Sequence, residues 1–152
     1  MSSEWSLRVT GLVENQLTLR LDDILKLPVV TLTFDFRCIE GWVIPDSEWQ
    51  GVRVRDVLSR AKPLTNAKYA VFKAGDYSIT MELSRIMNHD VVLAYAYKGE
   101  RLTERRGGPL RLVFPSQQCY ESVKWLSEIE VTEEHRESTG RTIALSRIGL
   151  TP

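Results

Sequence analysis

Two groups of side chains in this 152-residue sequence have types and spacing suited to chemistry. The first centres on Cys38, in the run Phe36-Arg37-Cys38-Ile39-Glu40-Gly41-Trp42. Alternation from Val30 to Phe36 predicts a strand with Leu32, Phe34 and Phe36 on one face. Cys38 therefore sits at the end of a rigid element, beside an arginine whose charge favours thiolate, the form that ligates soft metals or attacks electrophiles. The same residues fit a small buried thiol with a packing role, which is what most free cysteines are. Regular alternation sends Arg37 to the opposite face unless the strand bends there.

The second group lies between Lys98 and Arg111, where Lys98, Arg101, Arg105, Arg106 and Arg111 outnumber Glu100 and Glu104. The planar guanidinium fork donates paired hydrogen bonds to phosphate, and Gly107 and Gly108 let backbone amides approach a ligand closely. Taken alone, such a run also fits a solvated loop. His89 and His135 stand apart without ligand spacing, so neither is assigned to a metal. There is no Gly-rich phosphate loop, supported Ser-His-Asp set or haem-attachment motif. The two cysteines could close a 38–119 disulfide, but in a reducing compartment free thiols are the default, with a redox-linked pair as the alternative.

The elements that must position these residues are short. Leu7 to Val13 alternates like a strand, and Leu17 and Leu19 suggest another. Asp22 to Leu25 begins a helix that stops at Pro28. Pro45-Asp46-Ser47 predicts a turn, and Val54, Val57, Leu58 and Ala61 form a helical stripe that ends at Pro63. Tyr69–Lys73 and Tyr77–Met81 predict a hairpin around Gly75-Asp76. A short helix near Glu82 to Met87 precedes a strand from Val91 to Tyr97, with further strands at Leu110–Phe114 and Ile129–Val131. Strands dominate without βαβ alternation, so the expected class is α+β with mixed sheets and short helices. Tryptophans 42, 49 and 125, with Tyr77 and Tyr95, are expected to pack in the core.

Composition bounds the function classes. With 43% hydrophobic and 26% charged residues the chain has a globular profile, and its length suits one domain over residues 1–152. A formal net charge of zero argues against general nucleic-acid binding. No apolar run approaches the roughly 20 residues of a membrane span, and the N-terminus lacks signal-peptide features, so a cytoplasmic location is expected. Residues 133–152 are polar, then weakly apolar, as in a C-terminal arm that covers the site or meets a partner.

Further pieces fall in order around these groups: Trp42, Trp49-Gln50-Gly51-Val52-Arg53-Val54, Gly75-Asp76-Tyr77, Val92-Leu93-Ala94-Tyr95, Gly99-Glu100-Arg101-Leu102, Arg106 to Pro115, and Ser122-Val123-Lys124-Trp125-Leu126. In this order, over roughly residues 7 to 132, the set resembles the molybdopterin-binding catalytic domain of the sulfite oxidase family. The resemblance implies that fold, a molybdenum–molybdopterin cofactor, and Cys38 as metal ligand and catalytic residue. Arg111 matches the family arginine of a His-Gly-Xaa-Pro-Xaa-Arg loop, with Arg106 in place of the histidine. Arg106 can still pair with phosphate, but it cannot serve as a neutral donor or acceptor. The resemblance further implies that Gly107, Lys124 and Ser122 are cofactor-binding residues, whereas Glu121, where a cation is common, weakens local phosphate attraction.

The implied activity is oxygen-atom transfer on a small-molecule substrate, with an external electron-transfer partner. Sulfite fits poorly, because no tyrosine follows Tyr120 and no arginine-bearing stretch precedes the first strand. A smaller reductase-like relative is the better analogy, and the oligomeric state stays open. The alternative is a degenerate member that carries the pterin or serves as a protein-interaction scaffold, for which the Arg106 and Glu121 departures speak.

Overall fold

Two sheets, one mixed and one antiparallel, hold most of the regular secondary structure of the described residues. The computed structural model describes residues 5–37, 43–88, 90–115 and 122–139. The first sheet has the order β2 (Leu17–Arg20), β1 (Ser6–Gly11), β10 (Glu128–Thr132), β5 (Tyr69–Ala74) and β6 (Tyr77–Glu82). β10 runs parallel to β1 and antiparallel to β5, so it joins two hairpins formed by earlier segments. Leu7, Val9, Phe72, Ile129 and Val131 bury the inner face, as the period-two pattern requires. The β5–β6 hairpin turns through Gly75 and Asp76 as expected, with Gly75 at φ 60°.

The second sheet runs β3 (Val30–Arg37), β4 (Val43–Arg53) and β7 (Val92–Tyr97). The far side of β7 is shared end to end by β8 (Glu100–Arg101) and β9 (Arg111–Val113). Here the structure corrects one expectation: Pro45-Asp46-Ser47 is not a turn between elements but lies inside β4, the longest strand. Register against β3 slips between Phe34 and Phe36, and Asp46 takes up the extra length at φ 50°, its amide donating to Asp35 Oδ1 at 3.1 Å. Proline and aspartate mark a bulge here because neither fits a regular ladder. A second slip falls at Gly51, where a Cβ would lie 2.0 Å from the Leu93 carbonyl oxygen.

The helices are α1 (Leu21–Leu25), α2 (Val54–Ala61) and α3 (Leu83–Asn88). The predicted stripe Val54, Val57, Leu58 and Ala61 is fully buried, and α2 ends where Lys62 turns left-handed before Pro63. These helices and the first sheet share one core with Val52, Leu93 and Leu112 of the second. The opposite face of the second sheet carries a smaller cluster of Trp49, Val92, Ala94, Leu102 and Val113. Up to Thr139 the C-terminal arm follows the edge of β6: Ser138 and Thr139 hydroxyls accept from the amides of Thr80 and Ser78. Among the described residues no helix is long and apolar enough to cross a membrane.

Candidate functional site

Alternation along β9 turns Leu112 into the main core and leaves Arg111 on the other face, level with Ala94 of β7. That face borders a cavity of about 280 Å³. Its wall comes from Ile44, Ser47 and Trp49 of β4 and Tyr97 of β7, and its rim from Thr103, Arg105 and Arg106, with Arg111 and Lys124 completing the lining.

Arg111 is only 7% exposed. Its Nε donates to Ser122 Oγ at 2.7 Å and its Nη1 to the Arg106 carbonyl at 3.1 Å, while the guanidinium lies 4.9 Å from the Trp49 ring centroid. Burial, and then repulsion from Arg106, draw its pKa down from the usual arginine range to about 10. It remains charged at neutral pH, held where it cannot swing into water. Ser122 is buried and passes its own proton to the Leu112 carbonyl at 2.8 Å, which leaves a lone pair aimed at Arg111. It sits behind the guanidinium rather than on the cavity wall.

The loop before β9 is built to bring its cations inward. Thr103 caps a single 3₁₀ turn, Glu104–Arg106, through its hydroxyl and carbonyl. Gly107 follows at φ 95°, a conformation that suits a residue without a Cβ. A Cβ there would lie 2.7 Å from Lys124 Cγ and 3.3 Å from Arg111 Cδ, so the glycine lets those two side chains close together. Arg106 stacks its guanidinium 4.3 Å from the Tyr97 ring centroid, and Tyr97 packs at 4.7 Å against Trp49. Two arginines thus bracket a pair of aromatic rings.

Trp125 departs from the core role expected of it. It is 49% exposed, at φ 55°, with its backbone amide on the Gly107 carbonyl (2.9 Å) and its indole N–H on the Glu104 carbonyl (2.7 Å). Trp49 is the converse: buried in the small cluster while lining the cavity.

The expected residues Arg106, Gly107, Arg111, Ser122 and Lys124 therefore converge. Cys38, Trp42, His89, Cys119 and Glu121 lie outside the described residues, as does the arm beyond Thr139. The described part of β3 ends at Arg37, whose backbone pairs with Val43, next to cavity-lining Ile44. His135 is exposed, edge-on to Tyr69, and among the described residues no group of His, Cys, Asp or Glu is arranged to hold a metal. Ser47, Tyr97 and Thr103 carry no motif that marks them for the site, and Arg105 is visible only as one cation in a run. Four of the described lining residues are cations and none is a carboxylate. That donor set fits a phosphate-bearing ligand.

A family model described as the oxidoreductase molybdopterin-binding domain matches residues 1–140. The chain belongs to this family. The resemblance drawn from the motifs is thereby borne out, and with it the enzyme class and the molybdopterin cofactor of the family. The chain is 35% identical over 134 residues to the uncharacterized oxidoreductase YuiH of Bacillus subtilis, covering 88% of this chain and 68% of YuiH. It is 30% identical to the protein-methionine-sulfoxide reductase catalytic subunit MsrP of Campylobacter jejuni, covering 97% of this chain and 56% of MsrP. A nitrate reductase of Fusarium oxysporum is 29% identical over 86% of this chain and only 18% of its own length. Among solved structures, the sulfane dehydrogenase SoxCD of Paracoccus pantotrophus superposes with a TM-score of 0.84 at 24% identity, over 91% of this chain and 40% of that one. The fold of this molybdopterin-binding domain is thus the sulfite-oxidase-type α+β fold, and the cationic cavity is the feature that fits the phosphate of its cofactor.

Proposed function

We propose that this chain is the catalytic domain of a molybdenum-cofactor-dependent reductase that takes an oxygen atom from an oxidised sulfur or nitrogen group. The reductive direction is supported by the names of the relatives, a methionine-sulfoxide reductase and nitrate reductases. The observation that carries the reading is the cavity with four cations and no carboxylate among its described lining residues.

Each residue then has a part. Arg111 is the fixed cation for the cofactor's anionic end, preorganised by Ser122 and the Arg106 carbonyl so that binding requires little rearrangement. Lys124 and Arg106 add exposed positive charge to the lining, and Gly107 keeps Lys124 and Arg111 close enough to act on one group. The Cys38 thiolate would hold the metal, a soft ligand for a soft centre. When bound, the cofactor supplies the two-electron oxygen-atom chemistry, while the protein supplies orientation and charge. Electrons come from an external partner.

Elemental mass spectrometry of the protein, made in a host with active molybdopterin synthesis, tests this against a Cys38→Ser control. Near-stoichiometric molybdenum is expected in the parent, falling by at least about tenfold in the control because the anionic ligand is lost. Turnover of methionine sulfoxide or nitrate with a reduced viologen dye then identifies the substrate class. A folded parent without molybdenum or pterin would overturn the proposal.

A further inference from the structure

Trp125 holds a conformation that its own side chain disfavours. At φ 55° it lies in the left-handed region, where a residue with a Cβ is strained. Its half-exposed ring also forgoes much of the burial that a tryptophan usually contributes. A glycine would take this backbone without strain and would still donate its amide to the Gly107 carbonyl. What tryptophan adds is the indole N–H, donated to the Glu104 carbonyl at 2.7 Å. That carbonyl also accepts the Gly107 amide at 3.0 Å, so the indole bonds to the same oxygen that closes the 3₁₀ turn. Trp125 thus ties the loop at Glu104 and again at Gly107. The two residues between the ties, Arg105 and Arg106, both line the cavity. The ring centroid further lies 5.9 Å from Nζ of Lys124, a third lining cation, within reach of a cation–π contact. Arg111, the fourth, has its own anchor in Ser122.

We infer that Trp125 is a positioning residue for the cavity: its indole latch holds Arg105 and Arg106 where, with Lys124, they act on one anionic group. The inference rests on the cofactor reading above and adds the residue that organises the exposed cations of the lining. Backbone strain that persists at such a point is the mark of a functional constraint rather than of packing. The latch and the anion act on the same loop, so each strengthens the other by the same factor.

The test titrates the full chain, made without molybdopterin, with pyrophosphate in a calorimeter. Trp125→Phe keeps the strained backbone and an aromatic ring but removes the N–H donor. Its affinity is expected to be about fivefold weaker than that of the parent, the value of one hydrogen bond. Glu130→Gln, a change on the outer face of the first sheet, is expected to keep the parental affinity, which separates loss of the latch from a general loss of stability.

Linkage supplies a second readout, one that a merely structural role would not move. Saturating pyrophosphate is expected to slow solvent exchange of the Trp125 indole proton, followed by NMR, by the same factor of about five. This measurement needs only the parent, so it decides the matter even for a variant that does not fold. Equal affinities of parent and Trp125→Phe, or an indole proton whose exchange ignores the anion, would overturn the latch and leave the anion-binding cavity standing. A parent that binds no pyrophosphate would overturn both.

Discussion

The outer face of the first sheet and the cavity face of the second use the same charged residue types in opposite ways. On the first sheet, cations and carboxylates are matched across strands: Arg8 with Glu128 at 2.9 Å, and Lys73 and Arg136 both on Glu130. Burial pushes the Glu130 carboxyl up, but the hydrogen bonds from Lys73 and Arg136 more than reverse this and hold it below its usual range. On the second sheet the cations lean on rings, Arg106 on Tyr97 and Arg111 on Trp49, and converge on a cavity without a described carboxylate in its lining. Charge that serves the fold is neutralised within the fold. Charge on the cavity face is gathered around a cavity, and at Arg111 it is held against the cost of burial.

That contrast is broken most directly by Arg111→Met. Cofactor affinity is expected to fall by about 10- to 100-fold, the value of charge-assisted hydrogen bonds, as read by molybdenum retained through gel filtration. The cofactor-free variant loses a buried charge but also the hydrogen bonds that Arg111 donates to Ser122 Oγ and the Arg106 carbonyl, so its stability at neutral pH is expected to differ from that of the parent by no more than about 1–3 kcal/mol. The sign with pH follows from the lowered pKa. Below about 10 both folded and unfolded chains hold the proton and the burial cost to the parent is complete; above about 10 only the unfolded chain holds it, so the parent gains on the variant as pH rises. Urea denaturation of both proteins across pH checks this, and a parent that loses stability relative to the variant above a pH of about 10 would contradict it.

Gly107→Ala sharpens the comparison from the backbone side. At φ 95° the new Cβ must displace Lys124, so both stability and cofactor retention are expected to fall, stability by about 1–3 kcal/mol in thermal melts. The smallest effect belongs to the first sheet. Glu130→Gln is expected to cost at most about 1 kcal/mol at neutral pH, since its partners are partly solvated. The depressed carboxyl stabilises above its unfolded pKa, so the difference is lost as pH falls through the folded value. Cofactor retention in this variant should equal that of the parent.

Where one periodicity rules, the fold is legible in the sequence. The α2 stripe and the Gly75-Asp76 hairpin follow from spacing and turn chemistry alone. β4 is harder to read, because Pro45, Asp46 and Gly51 punctuate it like loop residues, and only pairing with β3 and β7 shows that they are bulges. β4 brings Ser47 and Trp49 to the cavity, so the strand that is hardest to read also holds an unannounced site residue, Ser47. Arg111, Lys124 and Gly107 could be found because ordered motifs surround them. Ser122 could be found as a neighbour but not as a support, since its role depends on a hydrogen bond between side chains eleven residues apart.

The position of β10 bears on how the molecule comes together in time. It is the last strand among the described residues, yet it occupies the middle of the first sheet, between hairpins that finish much earlier. The segment that immediately precedes it holds Lys124, which lines the cavity, and Ser122 and Trp125, which brace Arg111 and the loop before β9. Without the segment that ends at Thr132 neither the sheet nor its seam with β1 can close. Assembly of the pocket and closure of the first sheet are therefore one event, and neither hairpin can host a finished pocket before that segment arrives.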